Sequence, residues 1–142
     1  MLYQQFYSEL GKLLYAIAHA DQIISLQERK KLLEIVKSEL VPVEAHKDYF
    51  DTNAAFYTEI EFDILDEQIA EPKAAFNSFL DFIEDHYSAF DERIISACVR
   101  VSKELAGAYR GTNKAEKKFI DILQRKVKEL EKSKRVKKKQ KA

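Results

Sequence analysis

A chain of 142 residues with 46% hydrophobic side chains can enclose one core, and three Gly and two Pro are too few for the turns of a sandwich or barrel. Cys98 is the only cysteine, which excludes an internal disulfide or a cysteine-built zinc site and points to a reducing compartment. The formal net charge of zero conceals a segregation: residues 1–131 carry 17 basic and 24 acidic side chains, a balance of −7, whereas the closing KSKRVKKKQKA carries seven basic residues and no acid.

From the N-terminus, Phe6, Leu10, Leu13, Leu14 and Ile17 recur at three- and four-residue spacing, which predicts a long helix over 2–20 with one apolar face. A second helix opens at Ser25-Leu26-Gln27-Glu28, an S-x-x-E capping box. It carries Leu32, Leu33, Ile35, Val36 and Leu40 as its stripe and ends at Val41-Pro42. Over 51–70 two periods compete: Ile60, Phe62 and Ile64 alternate as in a strand, while Phe56, Ile60 and Ile64 repeat every four residues. Helix is expected, because a lone strand has no partner for its backbone groups.

Pro72 fits the first position of the next helix, whose face is Phe76, Phe79, Leu80 and Ile83 and whose end lies near Tyr87. Asp91 is the expected N-cap of a helix bearing Ile94, Ile95, Cys98, Val101 and Leu105, running to Gly107 or Gly111. Asn113-Lys114-Ala115-Glu116 forms a second capping box, followed by Phe119, Ile120, Leu123, Val127 and Leu130. Past Lys132 only Val136 interrupts the lysines, so the tail is expected to fray. The sequence thus divides into a helical domain, 1–131, and a basic tail, 132–142. Helices one and two mirror the last two, each pair having a short connection and a capping box. The expected fold is all-α: a pseudo-two-fold bundle of about six helices, two helical hairpins with the middle helices beside them.

The stretch from Ala18 to Glu28 resembles the opening of TerB-like domains, the tellurite-resistance family. There a long helix ends in Ala-Asp-Gly and is followed by Ile, a small cap residue and a Glu that opens the next helix. Ala20, Asp21, Ile24, Ser25 and Glu28 match, and Gln22 stands where the family usually has Gly. The C-terminal half repeats the pattern without its aspartate, since Tyr109 lies seven residues before Glu116 as Asp21 lies before Glu28. The resemblance implies a two-halved helical fold and an acidic stress-response or metal-associated module that acts through protein partners, often near membranes.

Asp21 and Glu28 supply two hard oxygen ligands on one loop and helix start, suited to a divalent cation such as Ca or Mg, with carbonyls and water completing the shell. Their alternative roles are helix termination and closure of the capping box. His19 either adds a nitrogen ligand or serves as a helix-end histidine, and His46 and His86 have no local partner at ligand spacing. Fourteen acids against Lys47 and Lys73 occupy residues 44–92. Within them Glu59, Asp63, Asp66 and Glu67 fall on one helical face, where mutual repulsion invites a basic protein partner or a cation, unless the face is merely solvated.

The tail residues Lys134, Arg135, Lys137, Lys138, Lys139 and Lys141 have no aromatic interleaving, so they would contact phosphates of nucleic acid or an anionic membrane without reading sequence. A second use is docking onto the acidic cluster of the same or another copy. Cys98 lies on an apolar stripe and reads as a core residue. No Gly-rich phosphate loop, G-x-S-x-G or H-E-x-x-H occurs, so the expectation is a non-enzyme with no small-molecule substrate. The N-terminus lacks a basic region before an apolar run, and no stretch of eighteen uncharged apolar residues occurs, which makes a cytoplasmic, soluble protein the expectation.

Overall fold

In a computed structural model, the structure describes residues 2–20, 30, 31, 34, 56–90, 92–106 and 114–141. Five long helices are described: α1 (Leu2–Ala18), α2 (Phe56–Gln68), α3 (Pro72–His86), α4 (Glu92–Ala106) and α5 (Lys114–Lys141), with a 3₁₀ turn at Tyr87–Ala89. The described residues contain no strand. Lys30, Lys31 and Glu34 are helical, but the boxes at Ser25 and Asn113 and the Asp91 cap lie outside the described residues, as do His46 and Tyr109.

α1 is the axis of the described bundle and packs against all four other described helices. Its expected stripe of Phe6, Leu10, Leu13, Leu14 and Ile17 is buried, and so are Tyr7, Tyr15, Ala16 and Ala18. A helix buried on most sides is a core helix rather than a surface one, and the tyrosines were the signal that a one-face reading passes over. Where α1 remains polar it is matched. The Glu9 carboxylate accepts from Lys12 Nζ at 2.9 Å and from Ser78 Oγ of α3 at 2.9 Å.

α3 opens at Pro72, whose missing N–H costs nothing in the first turn. It buries Phe76, Phe79 and Ile83 as its period requires, with Leu80 packed at the margin. The 3₁₀ turn then tucks Tyr87 and Phe90 inward, and the Phe90 ring centroid lies 4.7 Å from that of Phe6. α4 buries Ile94, Ile95, Cys98, Val101, Ser102 and Leu105, and Ser102 Oγ is satisfied by donating to the Cys98 carbonyl at 2.7 Å.

α5 buries Ile120 and Leu123, with Phe119, Val127 and Leu130 packed at the edge. Its helix does not end near Lys132 but runs on to Lys141. Lys, Arg and Gln are good helix formers, and elongating an existing helix avoids the cost of nucleating one.

Candidate partner-binding face

α2 is helical as expected, and of the Phe56, Ile60 and Ile64 repeat only Phe56 packs on the core. The core side is Thr58 and Phe62, with Leu65 packed beside them, while Ile60 is 51% and Ile64 41% exposed. Two polar or small residues set this orientation. Gly11 of α1 sits where an added Cβ would lie 2.5 Å from the Thr58 carbonyl oxygen and 2.9 Å from Glu61 Cβ, so α1 and α2 meet backbone to backbone. Thr58 Oγ1 then donates to the Tyr7 carbonyl at 2.8 Å inside that contact. With Thr58 drawn in, the 3.6-residue period carries Phe62 and Leu65 inward and turns Ile60 and Ile64 out.

The C-terminal end of α2 is held by side chains of α1. Tyr15 Oη donates to the Ala70 carbonyl at 2.7 Å, and the Tyr15 ring packs edge-on against Phe62 at 5.8 Å between centroids. Burial, reinforced by the negative charge of Glu71, raises the Tyr15 phenol above its ordinary pKa. His19 stacks on Tyr15 at 4.3 Å and sets Nε2 3.1 Å from Asp66 Oδ1. The sequence offered Asp21 as the neighbour of His19. The partner seen here is 47 residues away in sequence, brought by the parallel run of α1 and α2.

α2 stops in a left-handed turn. The Ala70 N–H donates to the Leu65 carbonyl at 3.1 Å and the Ile69 N–H to that of Asp66 at 3.3 Å, the paired bonds of a Schellman motif. The left-handed position, which favours Gly, is held by Ile69 at φ 53°, with 86% of its surface exposed. Among the described residues, Ile60, Ile64 and Ile69 are the exposed large apolar side chains, and all three belong to this one element and its cap.

Of the predicted acidic face, Asp63 and Glu67 are exposed on the same helical face as Ile60 and Ile64, Glu59 is half-buried, and Asp66 is turned aside toward His19. Asp21 and Glu28 lie outside the described residues. Among the described residues no group of three or more His, Cys, Asp or Glu is gathered closely enough to hold a metal ion. Lys134 places its ammonium 5.7 Å from the Tyr87 ring centroid, while Arg135, Lys137, Lys138, Lys139 and Lys141 follow on helical backbone. Cys98 is buried, and burial pushes its thiol well above its ordinary pKa, as suits a core residue.

Elsewhere, α3 and α5 leave two adjoining clefts of about 330 and 350 Å³ that share Asn77 and Ile122. Phe76 and Phe119 floor one of them, and Lys73, Lys118, Arg125 and Lys126 contribute to the walls. Among the described residues no helix is long and apolar enough to cross a membrane. No family model, curated protein or solved structure matches this chain.

Proposed function

We propose that this chain is a non-catalytic interaction module whose working surface is the outer face of α2, presented to a basic partner. The observation that carries the reading is the exposure of Ile60 and Ile64 beside Asp63 and Glu67 on one face of α2, with Ile69 exposed at its cap. Apolar side chains set among carboxylates suit long cationic side chains, whose methylene stems cover the isoleucines while their charged ends reach the acids.

The reading extends the resemblance to TerB-like domains at Ala20, Asp21, Ile24, Ser25 and Glu28. With that resemblance come a stress-response role and a pseudo-two-fold bundle of about six helices, in which α1 and a helix over 25–40 correspond to α4 and α5; a cytoplasmic location rests separately on the single cysteine and the absence of a long apolar run in the sequence. On the same resemblance Asp21 and Glu28 are assigned to a divalent cation. A second reading, supported by the helical course of α5 to Lys141, has its cationic end contact phosphates of nucleic acid or an anionic membrane.

Titration of the full chain against a synthetic lysine-rich helical peptide, followed by fluorescence anisotropy, tests the main reading. Binding should weaken as salt rises and fall at least tenfold in Asp63→Lys/Glu67→Lys, with helicity unchanged by circular dichroism. Affinity unaltered by that double reversal would refute it.

A further inference from the structure

Resting on that reading of α2, we propose that the partner is a second copy of this chain, whose basic C-terminal portion of α5 docks on the outer face of α2. The charges are opposite in sign: α2 carries Glu59, Glu61, Asp63, Asp66 and Glu67 and no basic residue, while the last eleven residues of the chain carry seven basic residues and no acid. The occupant must suit an apolar strip rimmed by Asp63 and Glu67, and a lysine-rich helix does so with aliphatic stems and cationic ends.

Helix continuity excludes the same copy. α3 and α5 run parallel, since Phe76 faces Phe119, Glu84 faces Lys126 and Tyr87 faces Lys134. α3 ends at His86, one residue before Tyr87, so the seven residues of α5 beyond Lys134 reach about 10 Å past that point. α2 packs chiefly on α1 instead, and an uninterrupted helix cannot fold back to it. Contact therefore passes from the tail of one copy to the face of the next, a head-to-tail arrangement that propagates or closes into a ring.

Ile69 supplies an independent argument. An exposed, β-branched residue in the left-handed region is unfavourable twice over in the isolated chain, for its backbone and for its hydration. Covering it with a neighbour's helix relieves the second cost, which gives Ile a use at a position where Gly would make the better cap.

Sedimentation velocity on the full chain tests the proposal. At low salt the wild type should self-associate as concentration rises, and it should dissociate as salt is raised. Asp63→Lys/Glu67→Lys spoils the face, and Lys137→Gln/Lys138→Gln/Lys139→Gln/Lys141→Gln spoils the tail. Each variant alone should be monomeric, whereas their mixture, which reunites one intact face with one intact tail, should give a 1:1 complex. Ile69→Gly should raise the melting temperature while weakening self-association severalfold.

A wild type that stays monomeric, association that survives in either variant, or a mixture that forms no complex would each overturn the proposal. If the wild type is monomeric yet still binds the synthetic lysine-rich peptide through Asp63 and Glu67, the acidic face stands as a partner site and only the second copy is ruled out. If both fail, the face itself is refuted.

Discussion

Two parallel helix pairs in this molecule are joined in opposite ways. α1 and α2 touch backbone to backbone at Gly11, with Thr58 bonded to the Tyr7 carbonyl, Tyr15 to the Ala70 carbonyl and His19 to Asp66 along the seam. α3 and α5 are held apart by long side chains, meet at Phe76 and Phe119 with ring centroids 4.5 Å apart, and leave clefts on either side of Ile122. Their one described ion pair, Lys126 to Glu84 at 3.0 Å, joins groups that water reaches. A single small residue at the crossing separates the two outcomes, because helices packed through large side chains stand 8–10 Å apart and cannot share backbone contacts. The practical result is that α2 is seated directly against the backbone of the axis helix, with Ile60, Asp63, Ile64 and Glu67 turned to solvent.

The substitution that strikes this difference hardest is Gly11→Ala. Alanine gains about 1 kcal/mol of helix propensity over glycine. Its Cβ, however, would lie 2.5 Å from a backbone oxygen, and backbone can yield only if α2 moves off α1. Overpacking of this kind costs about 1–3 kcal/mol, and the displaced Thr58 bond adds about 1 kcal/mol. The net expectation is a loss near 2 kcal/mol, read as a fall of about 4–8 °C in melting temperature. An unchanged or higher melting temperature would show that the seam has slack and that its closeness is not structural.

That crossing was not legible in the sequence, and the reason is physical. Periodicity reports which residues are apolar, so α1, α3 and α4 could be read from Leu10, Leu14, Phe76, Phe79, Ile94 and Cys98, all of which are buried. In α2 the core position is held by Thr58, a polar residue whose hydroxyl is satisfied by a carbonyl of another helix. The apolar four-residue repeat of Phe56, Ile60 and Ile64 marked a helix but not its core side, since Phe56 packs inward while Ile60 and Ile64 are exposed. The acids of the face were visible as a cluster, but only the fold could separate Asp63 and Glu67, which face solvent, from Asp66, which is occupied by His19. Ile69 carried no signal either, since an isoleucine before Ala-Glu-Pro does not announce a left-handed turn.

A smaller effect is expected at the far end of the same seam. Tyr15→Phe removes the bond to the Ala70 carbonyl and should cost about 1 kcal/mol near neutral pH. Because folding raises the Tyr15 pKa above its ordinary value near 10, the folded chain holds that proton more tightly than the unfolded chain does. The stabilisation is complete below pH 10 and is lost as pH climbs through the raised value, so wild type and variant should converge in alkali. Denaturation curves at pH 7 and above pH 10 check this. A gap that widens with pH would mean that ionised Tyr15 is favoured in the fold, contrary to its burial and to the charge of Glu71.

The least effect should come from the looser seam. Lys126→Ala breaks the pair with Glu84, whose side chain is 56% exposed, and exposed pairs contribute between nothing and about 1 kcal/mol. The lysine stem also lines a cleft beside Leu80 and Ile122, so part of any loss is packing. Salt separates the two contributions: screening removes the ionic part of the wild-type advantage, while the packing part survives in concentrated salt. Denaturant titrations of both proteins at low and high ionic strength should therefore show a gap well under that of Gly11→Ala, shrinking as salt is added. If Lys126→Ala instead costs as much as Gly11→Ala, and salt leaves the cost unchanged, then α3 and α5 are pinned as tightly as α1 and α2. The clefts between them would then be part of a fixed interface rather than the slack that distinguishes the two seams.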